Sequence, residues 1–220
     1  MFTRSILAAM AASTLLLSPI AAAQADDSWI TWPASRAEAI AKAAYVQGRV
    51  GGRAIIDTRL LKTERALNYK LAATWMTPEV IRASARIAQL NGGLSAGEAK
   101  ALVAEAEKAG DTVVMVEIDP REGSGVIPND WAAFLQPEFP DDISPRAVRG
   151  VDTPSLRNVK ALSGVLRRNY DYDRFWVVFP LKDADGKPLF SDHHTTAELV
   201  VRIHDRLGRV KWTIPQSVKR

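Results

Sequence analysis

The sequence predicts an α+β chain: an antiparallel β-sheet or β-sandwich-like core, with an αα-hairpin inserted at about 77–109 and a C-terminal β-meander. Three observations lead there. The C-terminal quarter alternates apolar and polar residues between turn signals, and the middle holds two consecutive capped helical stretches. Repeated strand–helix–strand units, which a parallel doubly wound sheet requires, do not occur.

The C-terminal runs carry the clearest pattern. Arg174–Phe179 is apolar on both sides and ends at Pro180, so it belongs in the interior of the sheet. The turn signal Asp183-Ala184-Asp185-Gly186 follows. In Glu198–His204 and Arg209–Ile214 the apolar positions recur at every second residue: Leu199, Val201 and Ile203, then Val210, Trp212 and Ile214. That period predicts a half-buried antiparallel hairpin with Gly208 closing its short loop.

At the other end, residues 1–25 read as a secretory signal peptide. Arg4 is their only charge, Ile6–Leu17 is mostly apolar, and Ala23-Gln24-Ala25 fits a small-x-small cleavage site before Asp26. The apolar stretch is short for a membrane span and is interrupted by Ser18 and Pro19. Residues 26–220 are then expected to form a single domain, periplasmic or secreted, with no transmembrane segment in the mature chain. The whole sequence has 29 basic and 25 acidic residues, so loss of Arg4 leaves a net +3. No run of Lys or Arg exceeds two, which argues against a nucleic-acid partner. Cysteine is absent, so neither a disulfide nor a thiol redox motif is present and the core must hold the fold alone.

Taken in order, Ser35 with Glu38 three residues on looks like a capping box for a helix over Arg36–Tyr45, broken by Gly48, Gly51 and Gly52. Alternation of Leu67, Tyr69, Leu71, Ala73 and Trp75 with polar or small residues predicts a strand over Ala66–Trp75, paired through a turn near Thr63–Arg65 with a weaker one over Ala54–Lys62. Thr77-Pro78-Glu79 is a helix start, and Ser95 with Glu98 is a second capping box. The two helices face each other through Val80, Ile81, Ile87, Leu102 and Val103. Val113–Ile118 is a strand apolar on both faces, ended by Pro120. Asp130–Leu135 reads as one or two helical turns, Pro137–Pro145 as a surface crossing, and Val148–Val151 as a short edge strand. Thr153-Pro154 repeats the helix-start signal with only a brief continuation.

Residue types able to do chemistry are few and scattered. The three histidines, His193, His194 and His204, with Asp192 beside the first two, form the candidate metal or hydrolytic cluster. Neighbouring side chains of a dipeptide diverge, and no spaced zinc motif is present. Ser124, flanked by glycines after a strand, is a candidate nucleophile for those imidazoles but lacks the Gly-x-Ser-x-Gly elbow. Glu117 with Asp119, and Asp171 with Asp173, are acids on one side of a strand, the spacing a carboxylate enzyme would use. Trp29, Trp32, Trp131, Tyr170 and Tyr172 are the aromatics able to line a groove for a peptide or a sugar. Phosphate-loop and dinucleotide fingerprints are missing, and no cofactor is implied. The expectation is a non-enzymatic exported binding or accessory protein of the cell envelope, its partner an envelope protein, peptide or glycan. The alternative is a hydrolase using Asp192, His193 and His194, with or without a metal.

Overall fold

The structure is a computed structural model that describes residues 27–51, 69–110, 112–120, 126–137, 143–164 and 171–219. Among these residues nine strands form one antiparallel sheet: β1 (Tyr45–Val50), β2 (Tyr69–Met76), β3 (Thr112–Asp119), β4 (Ala132–Pro137), β5 (Val148–Arg149), β6 (Val151–Asp152), β7 (Asp173–Phe179), β8 (Thr196–Ile203) and β9 (Arg206–Thr213). The helices are α1 (Ala34–Ala43), α2 (Pro78–Gly92) and α3 (Ala96–Glu107). The expected α+β class with an antiparallel core and an αα-hairpin is what the chain adopts.

The sheet is one layer curled on itself rather than two layers. Its order is β5-β4-β8-β9-β1-β2-β3-β7-β6. The first and last strands in that order are consecutive pieces of one short segment. Val148 lies opposite Leu135 of β4, and Val151 lies opposite Val178 of β7. The segment 148–152 therefore joins the two margins of the sheet over part of their length, and the sheet is nearly a barrel.

Alternation along the strands sorts side chains into two cores. In β3, Val114, Val116 and Ile118 point to the barrel interior while Val113 and Met115 point outward. The interior is filled by Trp75, Trp212, Tyr69, Phe179 and the aliphatics of β8 and β9. One end is capped by the loop between β7 and β8 and by the C-terminal tail, which supply Leu181, Leu189, Phe190, Ile214 and Val218 to the same core. The second core lies outside the wall, where Met76, Val113, Met115 and Trp176 meet Val80, Ile81 and Ala83 of α2 and Val103 and Ala106 of α3.

The helix boundaries follow from capping. Thr77 accepts from the Val80 amide with Pro78 at the first position, and Ser95 and Glu98 form the reciprocal capping box. The box expected at Ser35 is absent: α1 begins at Ala34 behind Pro33, with no side-chain cap. The helix also ends before Tyr45, because residues 45–50 are the strand β1 rather than a glycine break. Gly48 and Gly208 sit where β1 and β9 cross closely. A Cβ on Gly48 would lie 2.9 Å from the Arg209 carbonyl oxygen, and one on Gly208 2.6 Å from Val50 Cγ2. These glycines serve a close approach, so Gly208 lies inside β9 instead of closing a loop. The hairpin turn is His204-Asp205, between the paired Ile203 and Arg206.

The stretch Asp130–Leu135 is likewise not helical: from Ala132 on it belongs to the strand β4. Ala133 and Leu135 face the interior, and Gln136 outside them donates to the buried Glu198 carboxylate at 2.9 Å. Arg209 Nη1 donates to the same carboxylate at 2.6 Å, and Lys211 Nζ lies 3.9 Å from it. The stretch Val148–Val151, expected as an edge, breaks at Gly150 into the two bridging pieces. The expected strand over Ala54–Lys62, the turn near Thr63–Arg65, and residues 66–68 of the next strand lie outside the described residues, as do residues 138–142 of the expected surface crossing.

His204 holds a φ of 54°, the left-handed region that costs a residue with a Cβ about 1 kcal/mol or more. Its ionic neighbour among the described residues, Asp130, is 3.8 Å away and exposed. His204→Gly is therefore expected to stabilise the fold by about 0.5–1 kcal/mol, the relief of strain exceeding glycine's added unfolded-chain entropy. The urea midpoint of the two proteins checks it, and a lower midpoint for the variant would mean that the imidazole makes a contact worth more than the strain.

Candidate binding site

Among the described residues the barrel wall opens between β4 and β7. β4 and β7 are neighbours around the circumference but do not pair with each other. The segment 148–153 fills the space between them over their upper halves only. Gly150 N–H donates to the Ala133 carbonyl at 2.9 Å, and Thr153 N–H to the Trp176 carbonyl at 2.8 Å. Pro154 then turns the chain into a 3-10 turn, Pro154–Asn158, on the outside. Below that point a cleft of ≈ 870 Å³ opens, reached by Trp131, Arg157, Asn158, Arg174, Phe175 and Trp176. Its size is in the range of small-molecule and short-peptide sites.

Trp131 immediately precedes β4 and its ring meets Phe175 of β7 at 4.6 Å between centroids, tilted by 53°. A second cleft of ≈ 550 Å³ on its other side is bounded by Arg149, Gly150 and Asp152. Trp131 thus borders both hollows and is half-buried. At the larger mouth Arg157 is exposed and pairs with no described acid, whereas Arg174 donates from Nε to Glu117 Oε1 at 2.6 Å. The Glu117 side chain is 6% exposed, so its charge is balanced inside the outer layer of the wall. Burial raises the Asp152 carboxyl above the ordinary range, opposed by backbone hydrogen bonds from Thr153 and Trp176.

The five aromatics singled out in the sequence divide. Trp131 lines the cleft. Tyr172 is half-buried beside Asp119 and Glu117, and its phenol is held protonated by burial first and by the Asp119 charge second. Tyr170 lies outside the described residues. Trp29 and Trp32 are 3% and 9% exposed, folded by the 3-10 turn Asp27–Thr31 onto the helical layer. Arg36 covers the Trp32 ring at 4.5 Å and Arg86 donates to the Trp32 carbonyl. These two tryptophans clasp the N-terminal segment to the domain and present nothing to a ligand. Phe175 and Arg157 were not separable in the sequence, since an apolar run and a lone arginine carry no spacing signal.

The histidines do not converge. His193 and His194 are in the cap loop beyond β7, and His204 is in the turn at the opposite end of β8, about 26 Å away at 3.3 Å per residue along the eight residues of that strand. No group of three or more His, Asp or Glu able to hold a metal occurs among the described residues. The residue that does meet the imidazoles is Ser191, whose Oγ lies 2.9 Å from both His193 Nε2 and His194 Nδ1. Ser191 N–H also donates to His194 Nδ1 at 3.0 Å, which leaves the His194 proton on Nε2 when the ring is neutral. Burial lowers the His194 pKa, and His193, Arg146 and Lys219 add to the effect. Asp192 offers its backbone carbonyl to Lys219 Nζ at 3.0 Å rather than orienting either ring. Ser124 lies outside the described residues. Glu117 and Asp119 are separately engaged, with Arg174 and, at 3.8 Å, with Lys70.

Comparison with known protein families, with characterised proteins and with solved structures finds no match for this chain. No helix among the described residues is long and apolar enough to cross a membrane.

Proposed function

We propose that the chain is an exported, periplasmic or secreted, non-enzymatic binding or accessory module of the cell envelope, and that it takes its ligand in the cleft at Trp131. The observation carrying this reading is the Trp131–Phe175 pair at the mouth of an ≈ 870 Å³ opening in the wall. Aromatic faces held rigidly by a barrel supply contact area at little entropic cost, and the Arg157 guanidinium at the rim, paired with no described acid, supplies direction. Export draws on the leader-like composition of residues 1–25.

The test is expression of the full chain in a bacterial host, followed by intact mass of the product and titration of the processed form with envelope-derived peptides and glycans. The expected product starts at Asp26 and lies outside the cytoplasm. Trp131→Ala is expected to weaken the ligand by tenfold or more, the size of an aromatic anchor. Retention of residues 1–25 in the cytoplasm would overturn export, and affinity indifferent to Trp131→Ala would overturn the site.

A hydrolase reading on Asp192, His193 and His194 draws on one observation, the Ser191 hydroxyl held between two imidazoles. Neither cleft described above reaches those residues. The same purified protein, given p-nitrophenyl acetate, would need turnover that Ser191→Ala abolishes.

A further inference from the structure

We infer that the ligand is an extended peptide segment that docks as an added strand on the lower half of β7, with aromatic or apolar side chains alternating with acidic ones. This rests on the reading that the Trp131 cleft is the binding site.

The backbone of β7 dictates the mode. In an antiparallel strand the N–H and C=O of one residue point to the same side, and those of its neighbours to the other. Val178 faces Val151, and the Trp176 carbonyl accepts from Thr153, so the even-numbered residues of β7 direct their amides toward the gap. By that alternation both backbone groups of Arg174 also face the gap, while the Trp176 N–H already donates to the Asp152 carboxylate. Below Thr153 the described chain supplies no strand opposite them, because Pro154 turns it outward. Asp173, Arg174, Phe175 and Trp176 all border the cleft. Backbone donors and acceptors in a cleft call for partners, and an extended peptide supplies them at the matching repeat.

Side chains set the pattern. One face of an added strand would lie on the Trp131 and Phe175 rings, so positions on that side take aromatic or apolar groups. Asp173 stands on the same side of β7 as Phe175 and is exposed at the mouth, which disfavours an acid there. The other face looks toward Arg157, whose charge no described residue balances, and an acid there forms a charge-assisted pair. The contacted length is short: four residues of β7, Asp173–Trp176, hence about 13 Å of peptide at 3.3 Å per residue.

The test titrates the processed protein with three blocked pentapeptides while amide shifts and affinity are followed by NMR. The first alternates Asp with Phe and Val, the second is the same peptide N-methylated at its central residue, and the third carries Lys in place of Asp. The first is expected to bind and to shift the Arg174 and Trp176 amides and the Trp131 indole. Methylation and the Asp-to-Lys exchange are each expected to weaken it by about tenfold, the former by removing a donor and leaving an acceptor unpaired. Arg157→Glu is expected to reverse the preference between the first and third peptides. A methylated peptide that binds as well, or a glycan that binds through Trp131 where no peptide does, would overturn strand addition and leave the site standing. Peptide binding that moves neither Trp131 nor β7 would overturn both. Shifts of the Arg174 amide on dilution alone would mean that a second copy of this chain covers the edge, and the inference would fall.

Discussion

Trp75→Ala is expected to cost about 3–5 kcal/mol, the range for deleting a large buried aromatic with only partial collapse of the hole. Trp75 is 1% exposed and stands where the barrel wall, the cap and β9 meet. Its ring lies 5.8 Å from both Phe190 of the cap and Trp212 of β9, tilted against each. Its indole N–H donates to Thr112 Oγ1 at 2.7 Å, so alanine also removes a donor from a buried hydroxyl. Trp212 in turn donates from its own indole to the Ala44 carbonyl at 2.7 Å. That bond ties β9 to the start of β1 at the end where their single registered pair, Val50 with Gly208, no longer holds the strands together. Loss of the neighbouring ring therefore loosens a joint as well as the core. Against a total stability of about 5–15 kcal/mol this is a large fraction, corresponding to a fall in melting temperature of roughly 6–20 °C. Equilibrium urea denaturation measures it, and a loss below about 1 kcal/mol would place Trp75 in a site that was never well packed.

Gly150→Ala is expected to destabilise by about 1–3 kcal/mol, through crowding rather than a cavity. An added Cβ would lie 2.2 Å from Val177 Cγ1 and 2.7 Å from Phe179 Cε1. Phe179 is fully buried and has nowhere to retreat, so the crossing segment must lift from β7. Val177→Ala removes the nearest obstacle. The double variant is accordingly expected to recover part of the loss, with a coupling energy of about 0.5 kcal/mol or more in a mutant cycle. Strict additivity would show that residue 150 and Val177 are not in contact.

Local chemistry made the helical part of this fold readable in advance. Thr77-Pro78 and the Ser95–Glu98 box satisfy helix-end amides with nearby side chains, so their signals survive without knowledge of the tertiary structure. The period of two in β8 and β9 was equally plain, since each strand has one face toward the packed interior. Glycine misled where its role was long-range. Gly48 and Gly208 looked like breaks, yet they admit one strand to another distant in sequence. The start of β4 resembles helical turns in sequence because Asp130–Leu135 carries an apolar face, and its partner β8 lies more than sixty residues on. Closure by 148–152 is a two-sided pairing of a few residues, for which local periodicity holds no information.

The candidate site was legible only in part, for the same reason. Trp131 stood out as an aromatic near a loop, but Trp29 and Trp32 stood out equally. Only the fold of the N-terminal segment onto α2 and α3 separates them. Ser191 carries no signal in the sequence, because its meeting with His193 and His194 depends on the turn of the cap loop.

The cleft exists only if the segment 148–153 holds β4 with one end and β7 with the other, stopping short of their lower halves. Backbone NOE measurement on labelled protein reads that arrangement directly. Cross-strand contacts are expected from Val148 to Leu135 and from Val151 to Val178 in the same molecule, with the Gly150 and Thr153 amides protected from exchange and the Arg174 amide exchanging freely. Contacts to one strand alone, or a direct ladder between β4 and β7, would contradict the barrel and remove the opening beside Trp131.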